Sequence, residues 1–239
     1  LKHHPKFAPY LKNGKCIAYG ARTLSEGGYV SIPKLQFPGG VLVGDTAGFL
    51  NLPKIKGIHT AMKSGILGAE AVFEALKSGK NYADTYQQRF EQSWLHDELY
   101  GVRNLRQYFH YGLYPALFLS GLDTMILRGK SPWTLKHPGP DNEQTKKISE
   151  VTPMQYPKPD GVLSFDLLTN LARSGTNHNH DQPAHLKLKN KDVAVEVNLK
   201  QYGGPEQYYC PAKVYEFHTD DSGKSRLQIN AQNCLHCKA

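Results

Sequence analysis

Three of the four cysteines in this 239-residue chain crowd into its last thirty positions: Cys210 in YYCPA, then Cys234 and Cys237 in NCLHCKA. Thiolates gathered this way must sit on tight loops around a shared ligand or bond one another. The clustering argues against a secreted disulfide framework and for metal or redox chemistry. With a further cysteine expected just beyond Ala239, the set becomes one remote thiolate plus a closely spaced group, the ligation pattern of a [4Fe–4S] cluster. Tyr208 and Tyr209 are placed to hydrogen-bond cluster sulfurs. Two rival readings stand beside it. A zinc site could use three thiolates and His236, although His236, between two ligands, is expected to point away. A redox C-x-x-C would need a strand–helix context that is not visible. Cys16 stands alone and reads as a small buried apolar residue. His178, His180 and His185 in TNHNHDQPAHL read as a hydrogen-bonded loop rather than a metal site.

A second informative stretch, residues 41–65, reads VLVGDTAGFLNLPKIKGIHTAMKSG. The apolar run 41–43 suits a buried strand of a parallel sheet. It ends at Gly44-Asp45, where a glycine admits a cofactor to the backbone and a carboxylate accepts a hydroxyl. A loop carrying Gly57 then leads into a helix predicted over 60–77, with Thr60 as N-cap and Gly79 after its end. Amides at a helix start suit an anionic ligand edge. The arrangement reads as half of a flavin site. The G-x-G-x-x-G turn that cradles a pyrophosphate is absent and is expected upstream of Leu1. The chain does not begin with Met and is read as a piece of a larger enzyme, inactive alone.

On the predicted helix, Met62, Ile66, Ala69, Phe73 and Leu76 form one apolar stripe. A second helix is predicted over about 83–109, with Tyr86, Phe90, Trp94, Leu95, Leu99, Val102 and Leu105 on one face. Residues 111–127, YGLYPALFLSGLDTMIL, are the most apolar segment. Seventeen residues span roughly 26 Å, short of the roughly 30 Å hydrocarbon core, and Asp123 within the segment and Pro115 near its start also argue against a simple crossing. A buried core helix and a monotopic membrane patch remain open. Tyr108, Phe109, Tyr111, Tyr114 and Trp133, with Arg106, Arg128 and Lys130, suit interfacial anchoring.

Before residue 40, runs 15–19 and 29–32 read as short strands. A linker is marked by Pro132, Pro138, Pro140, Pro153, Pro157 and Pro159, with a boundary near 135–160. Beyond it, 192–199, 213–218 and 226–230 read as strands, the last two joined by the turn 220–223. Net charge is +8, which favours anionic partners. No basic arm, helix-turn-helix or finger spacing points to nucleic acid.

KHHP (2–5), GYVSIPKLQFPGG (28–40), NLPKIKGIHTAMKSG (51–65), PWTLKH (132–137), YPKPDG (156–161), SGTNHNHDQPAHL (174–186), GPEQYYCPAKVYEF (204–217) and LQINAQNCLHCK (227–238) carry a likeness from end to end. The chain resembles the C-terminal part of the electron-transfer flavoprotein–ubiquinone oxidoreductase family. The resemblance implies FAD, one [4Fe–4S] cluster and ubiquinone, with electron-transfer flavoprotein as donor. It also implies the matrix face of the mitochondrial inner membrane, or a bacterial cytoplasmic membrane. Cys210, Cys234 and Cys237 then match cluster ligands. Gly44, Asp45, Gly57, Ile58, His59, Thr60 and Ala61 match flavin contacts, and the apolar segment a monotopic membrane patch. The quinone pocket is implied to lie mostly upstream. No acid–base catalytic residue is expected.

The expected fold is α+β or α/β. Residues 1–105 form part of a glutathione-reductase-like FAD and quinone region. Residues 106–134 form the membrane-associating segment. Residues 135–239 form a ferredoxin-like [4Fe–4S] domain. Rival readings are a related membrane flavoprotein dehydrogenase or reductase, and a non-enzymatic ferredoxin-like or zinc-binding module.

Overall fold

A computed structural model describes residues 1–152 and 154–239; Pro153, one of the expected linker prolines, lies outside the described residues. In chain order the helices are α1 (Ala8–Leu11), α2 (Ile58–Lys77), α3 (Tyr86–Glu91), α4 (Trp94–Gly101), α5 (Leu105–Tyr108), α6 (Leu113–Gly121), α7 (Leu167–Ser174), α8 (Lys200–Tyr202) and α9 (Glu206–Tyr209). The strands are β1 (Gln36–Phe37), β2 (Gly40–Val41), β3 (Tyr215–Thr219) and β4 (Ser225–Ile229), which pair as two antiparallel hairpins. The mixture of helices with small sheets agrees with the α+β expectation. By internal contacts the chain forms two units, Leu24–Pro140 and, from two separated stretches, Leu1–Thr23 with Asp141–Ala239.

In the unit Leu24–Pro140, α2 packs a face of small residues, Thr60, Ser64, Gly68, Ala71 and Ala75, with Leu67 among them. These allow a close approach: a side-chain carbon added to Gly68 would lie 3.0 Å from Val43. The predicted stripe is the opposite face, and Met62, Ile66, Phe73 and Leu76 are all more than half exposed. The period was right and the buried face was not, because proximity to the β1–β2 hairpin selects small side chains. The 41–43 run is no buried parallel strand either: β2 pairs antiparallel with β1, and Val43 is exposed. The core gathers Leu35, Phe49, Leu67, Tyr86, Phe90, Leu95 and Leu99. Phe49 stacks on Phe90 at 4.9 Å, and the Tyr86 hydroxyl, pushed up to about 12 by burial, donates to the Leu42 carbonyl.

The predicted 83–109 helix is three helices. Ser93 adopts extended backbone and its hydroxyl caps the Phe90 carbonyl, which separates α3 from α4. The second break lies at buried Arg103 and Asn104, whose side chains satisfy the backbone of residues 129–135 instead. Arg103 also stacks on Tyr100 at 3.7 Å.

In the other unit, β3 and β4 pair from Tyr215↔Ile229 to Thr219↔Ser225. Asp220 Oδ1 accepts from the amides of Ser222 and Lys224, and Gly223 is left-handed at φ +81°, as the turn chemistry requires. Val193–Leu199 is π-helical rather than a strand. Its alternating valines have no strand partner, and the helix packs against β4. Residues 29–31 form a 3-10 turn and 15–19 no regular structure, so neither is a strand. Cys16 is half-buried, not buried.

Candidate metal centre and cofactor elements

α9 ends at Cys210, whose extended backbone before Pro211 stops the helix. Cys210 is 7% exposed, packed with Ala212 and Val214. After β4, a 3-10 turn over Ala231–Asn233 delivers Cys234, and Cys237 follows. Cys210, Cys234 and Cys237 line one cavity of about 250 Å³ with the side chains of Leu186, Val214 and Leu235. The Val214 amide donates to Cys210 Sγ and the His236 amide to Cys234 Sγ, both at 3.4 Å. Such N–H···S bonds stabilise thiolates and suit a cluster's sulfur ligands. Three convergent thiols in a largely apolar pocket fit a [4Fe–4S] group.

Two asparagines fasten the cysteine loops. Asn230 and Asn233 both donate to the Lys213 carbonyl at 3.3 Å, and the Asn230 amide donates to Val214 at 2.7 Å. The stretch 1–23 straps the same loops. The Tyr19 hydroxyl donates to the Pro211 carbonyl at 3.3 Å, and the Thr23 amide donates to the Cys237 carbonyl at 2.8 Å. Burial, then the charges of Cys237 and Cys210, push the Tyr19 hydroxyl up. These four residues carry no sequence signal tying them to the cysteines. Tyr215 lines the cavity, as does Tyr209, whereas Tyr208 is 78% exposed and lines no part of it.

His236 does not point away. Its backbone is left-handed at φ +52°, a turn that reverses the local curvature. Its ring lies 4.8 Å from that of His185 and 5.0 Å from that of His178. His178 Nε2 is 2.8 Å from the Cys234 carbonyl, which gives the hydrogen-bonded loop expected there.

In the unit Leu24–Pro140, the turn at Gly44 meets the start of α2, which carries the other residues expected to contact a flavin. Gly44 is left-handed at φ +61°, and a Cβ on it would meet Ala61 at 3.1 Å. The turn Gly44–Ala47 thus lies on the first turn of α2. Thr60 is not the N-cap: it sits inside α2, fully buried, with its hydroxyl donating to the Phe49 and Gly57 carbonyls. Gly57 holds the cap position with no side chain to satisfy the amides that follow it, and the Asp45 carboxylate has no hydrogen-bond partner among the described residues. Both observations fit an anionic, hydroxyl-bearing ligand. The His59 ring is turned to Glu98 at 2.9 Å and stacks on Trp94. Burial alone would raise the Glu98 carboxyl, but hydrogen bonds from His59, Lys54 and Asn51 hold it down to about 2.

The apolar segment is not a core helix. From α6 and the π-helical turn Leu122–Ile126, only Ala116 and Asp123 are buried, while Leu113, Tyr114, Leu117, Phe118, Met125 and Ile126 are each more than half exposed. Tyr108, expected as an interfacial anchor, is 2% exposed; its hydroxyl donates to Asp123 and accepts from Trp133 Nε1. No helix among the described residues is long and apolar enough to cross a membrane.

Residues 161–239 match the family model described as "Electron transfer flavoprotein-ubiquinone oxidoreductase, 4Fe-4S". Over all 239 residues the chain is 56% identical to the mitochondrial electron transfer flavoprotein-ubiquinone oxidoreductase of Arabidopsis thaliana, covering 38% of that protein. It is 56% identical to the Rattus norvegicus protein of the same name and 55% to that of Homo sapiens, with 99% of the chain and 40% of each relative covered. The chain therefore spans about two fifths of the length of these curated relatives.

Proposed function

We propose that this chain belongs to the electron transfer flavoprotein-ubiquinone oxidoreductase family and that the complete protein moves electrons from reduced electron-transfer flavoprotein to ubiquinone. The observation that carries the proposal is the meeting of Cys210, Cys234 and Cys237 on one cavity. When bound, the cluster exchanges single electrons and the flavin one or two, which matches a single-electron route to a two-electron quinone. The residues of this chain position and tune these groups. Cys210, Cys234 and Cys237 ligate the cluster. The amides of Val214 and His236 hold two of the thiolates charged, and Leu186, Val214 and Leu235 keep water away.

FAD is held in part by Gly44, Asp45, Gly57, Ile58, His59, Thr60 and Ala61. Asp45 accepts a ribityl hydroxyl, and the uncapped amides at the start of α2 face an anionic edge. Thr60 contributes its backbone only, since its hydroxyl is consumed within the fold. The exposed apolar side chains of residues 106–134, with Arg128 and Lys130 beside them, rest in a membrane surface without crossing it. The mitochondrial names of the relatives support a mitochondrial site; the exposed apolar surface supports membrane association, and the family resemblance implies the matrix face of the inner membrane. A glutathione-reductase-like FAD region and a ferredoxin-like cluster domain accommodate these roles, with residues 1–23, expected in the first, belonging instead to the unit that holds 141–239.

In the complete protein, Cys234→Ser or Cys237→Ser should abolish bound iron and labile sulfide, because a hydroxyl is a far poorer iron ligand than a thiolate. Quinone reduction with electron-transfer flavoprotein as donor should fall while FAD stays bound, since the two sites use separate segments. Sulfide retained in both variants, or stoichiometric zinc in the freshly purified wild type, would overturn the assignment.

A further inference from the structure

His185 and His236 are exposed imidazoles beside a cluster-ligand cysteine, and no step above uses them. One ring nitrogen of each and the Sγ of Cys234 lie within 4.8 Å of one another. We infer that His185, Cys234 and His236 form a second metal site, which takes a thiophilic divalent ion of the zinc class when no cluster holds Cys234. The inference rests on the reading of Cys234 as a cluster ligand.

The donor set is right for such an ion. Two imidazoles and one thiolate form a mixed nitrogen–sulfur set that zinc accepts, with a fourth position left for water or a further thiolate. Cys237 lines the same cavity and is a candidate for that position. Zinc–nitrogen and zinc–sulfur bonds of about 2.0–2.3 Å put tetrahedral ligand atoms roughly 3.4–3.6 Å apart, so closure asks for a shift of about 1 Å. His185 and His236 can make it, because both side chains are exposed and lie outside helices and strands.

The backbone already favours the arrangement. The left-handed His236 turns its ring onto that of His185, with centroids 4.8 Å apart and planes 29° apart. His178 supports the site without joining it, since its Nε2 is engaged with the Cys234 carbonyl at 2.8 Å. One sulfur cannot serve both centres in full. A zinc ion on this triad withholds Cys234 from the cluster, and a cluster leaves the two histidines short of their thiolate. The triad is therefore a gate on cluster assembly, closed by zinc and opened by its removal.

The test uses the complete protein, stripped of iron under anaerobic conditions, and reads zinc affinity against a chromophoric chelator. Cobalt(II) serves as the spectroscopic probe. The wild type should bind one equivalent of zinc, and its cobalt form should show tetrahedral d–d bands with sulfur-to-metal charge transfer. His185→Ala should weaken zinc at least tenfold. So should His236→Asn, a change that keeps a residue tolerant of the left-handed backbone. Iron and labile sulfide taken up on reconstitution should match the wild type in both variants, and zinc added first should delay that uptake in the wild type alone. Unchanged zinc affinity in both variants would assign the ion to the cysteines only and sink the inference, as would a wild type that binds no zinc. A failure of the cluster reading looks different: the wild type would take up no labile sulfide.

Discussion

Replacing Leu117, Phe118 and Ile126 together by Ser should detach the complete protein from lipid without unfolding it. Their exposures are 56%, 73% and 70%. Full burial of such side chains is worth about 1.5–3 kcal/mol each, so scaling by exposure gives about 3–6 kcal/mol for the three. A monotopic surface immerses its side chains only in part, and half the middle of that range, about 2 kcal/mol, is a roughly 30-fold loss in partition coefficient. The assay is sedimentation with vesicles of mixed zwitterionic and anionic lipid, titrated in lipid, with thermal unfolding as the control. None of the three belongs to a buried cluster, so folding stability should change by less than about 0.5 kcal/mol. Leu119 is the wrong residue for this purpose. It packs against Leu105, Tyr108 and Ala116, and Leu119→Ser should cost about 2–4 kcal/mol of stability instead. A triple variant that keeps wild-type partitioning and wild-type stability would refute the membrane reading of this surface. A triple variant that unfolds would show that the complete protein buries these side chains.

Asp45→Ala should weaken FAD by about 1.5–3 kcal/mol, roughly ten- to hundredfold, through loss of a charge-assisted hydrogen bond; fluorescence of released flavin reads it, and unchanged affinity would reduce Asp45 to a turn residue. Glu98→Gln should loosen the segment 51–59 that leads into α2, seen as faster amide exchange in its peptides. The folded pKa of Glu98 lies near 2, below its ordinary 4.5, so its stabilisation is complete above about pH 4.5 and is lost as pH falls from there towards 2. Its size is on the order of 2 kcal/mol, because Lys54 and His59 are themselves partly exposed and screened. A wild-type–variant difference that does not shrink on acidification would refute this account.

The meeting of the cysteines on one cavity was legible because its signal is local: two cysteines three positions apart, with the third beside a helix-stopping proline. Its supports were not. Tyr19 and Thr23 reach the cysteine loops across most of the chain, and nothing in the run 15–23 announces a partner so distant. His236 was misread because a ring between Cys234 and Cys237 faces away only if the backbone is extended, and here it is left-handed. On α2, the 3.6-residue period located the helix, but large apolar residues outvoted the glycine and alanines that the close hairpin contact requires. The 193–199 run carries strand composition without a strand to pair with. The approach of the Gly44–Ala47 turn to the start of α2 was legible in the sequence, whereas the role of Thr60 depended on a carbonyl eleven positions earlier, a contact no capping rule anticipates.

The strap formed by residues 1–23 sets an order of events in biosynthesis. Tyr19 meets Pro211 across 192 positions, and the whole of Leu24–Pro140 is threaded between the two stretches of that unit. Closing a flexible loop of that length costs on the order of 4–5 kcal/mol of chain entropy. A ribosome delivers the strap first and the cysteines last, so the early stretch waits, unpartnered, while the intervening unit forms. The cysteine cavity thus closes only after synthesis has passed Cys237, and any group it holds must be supplied to the chain after that point.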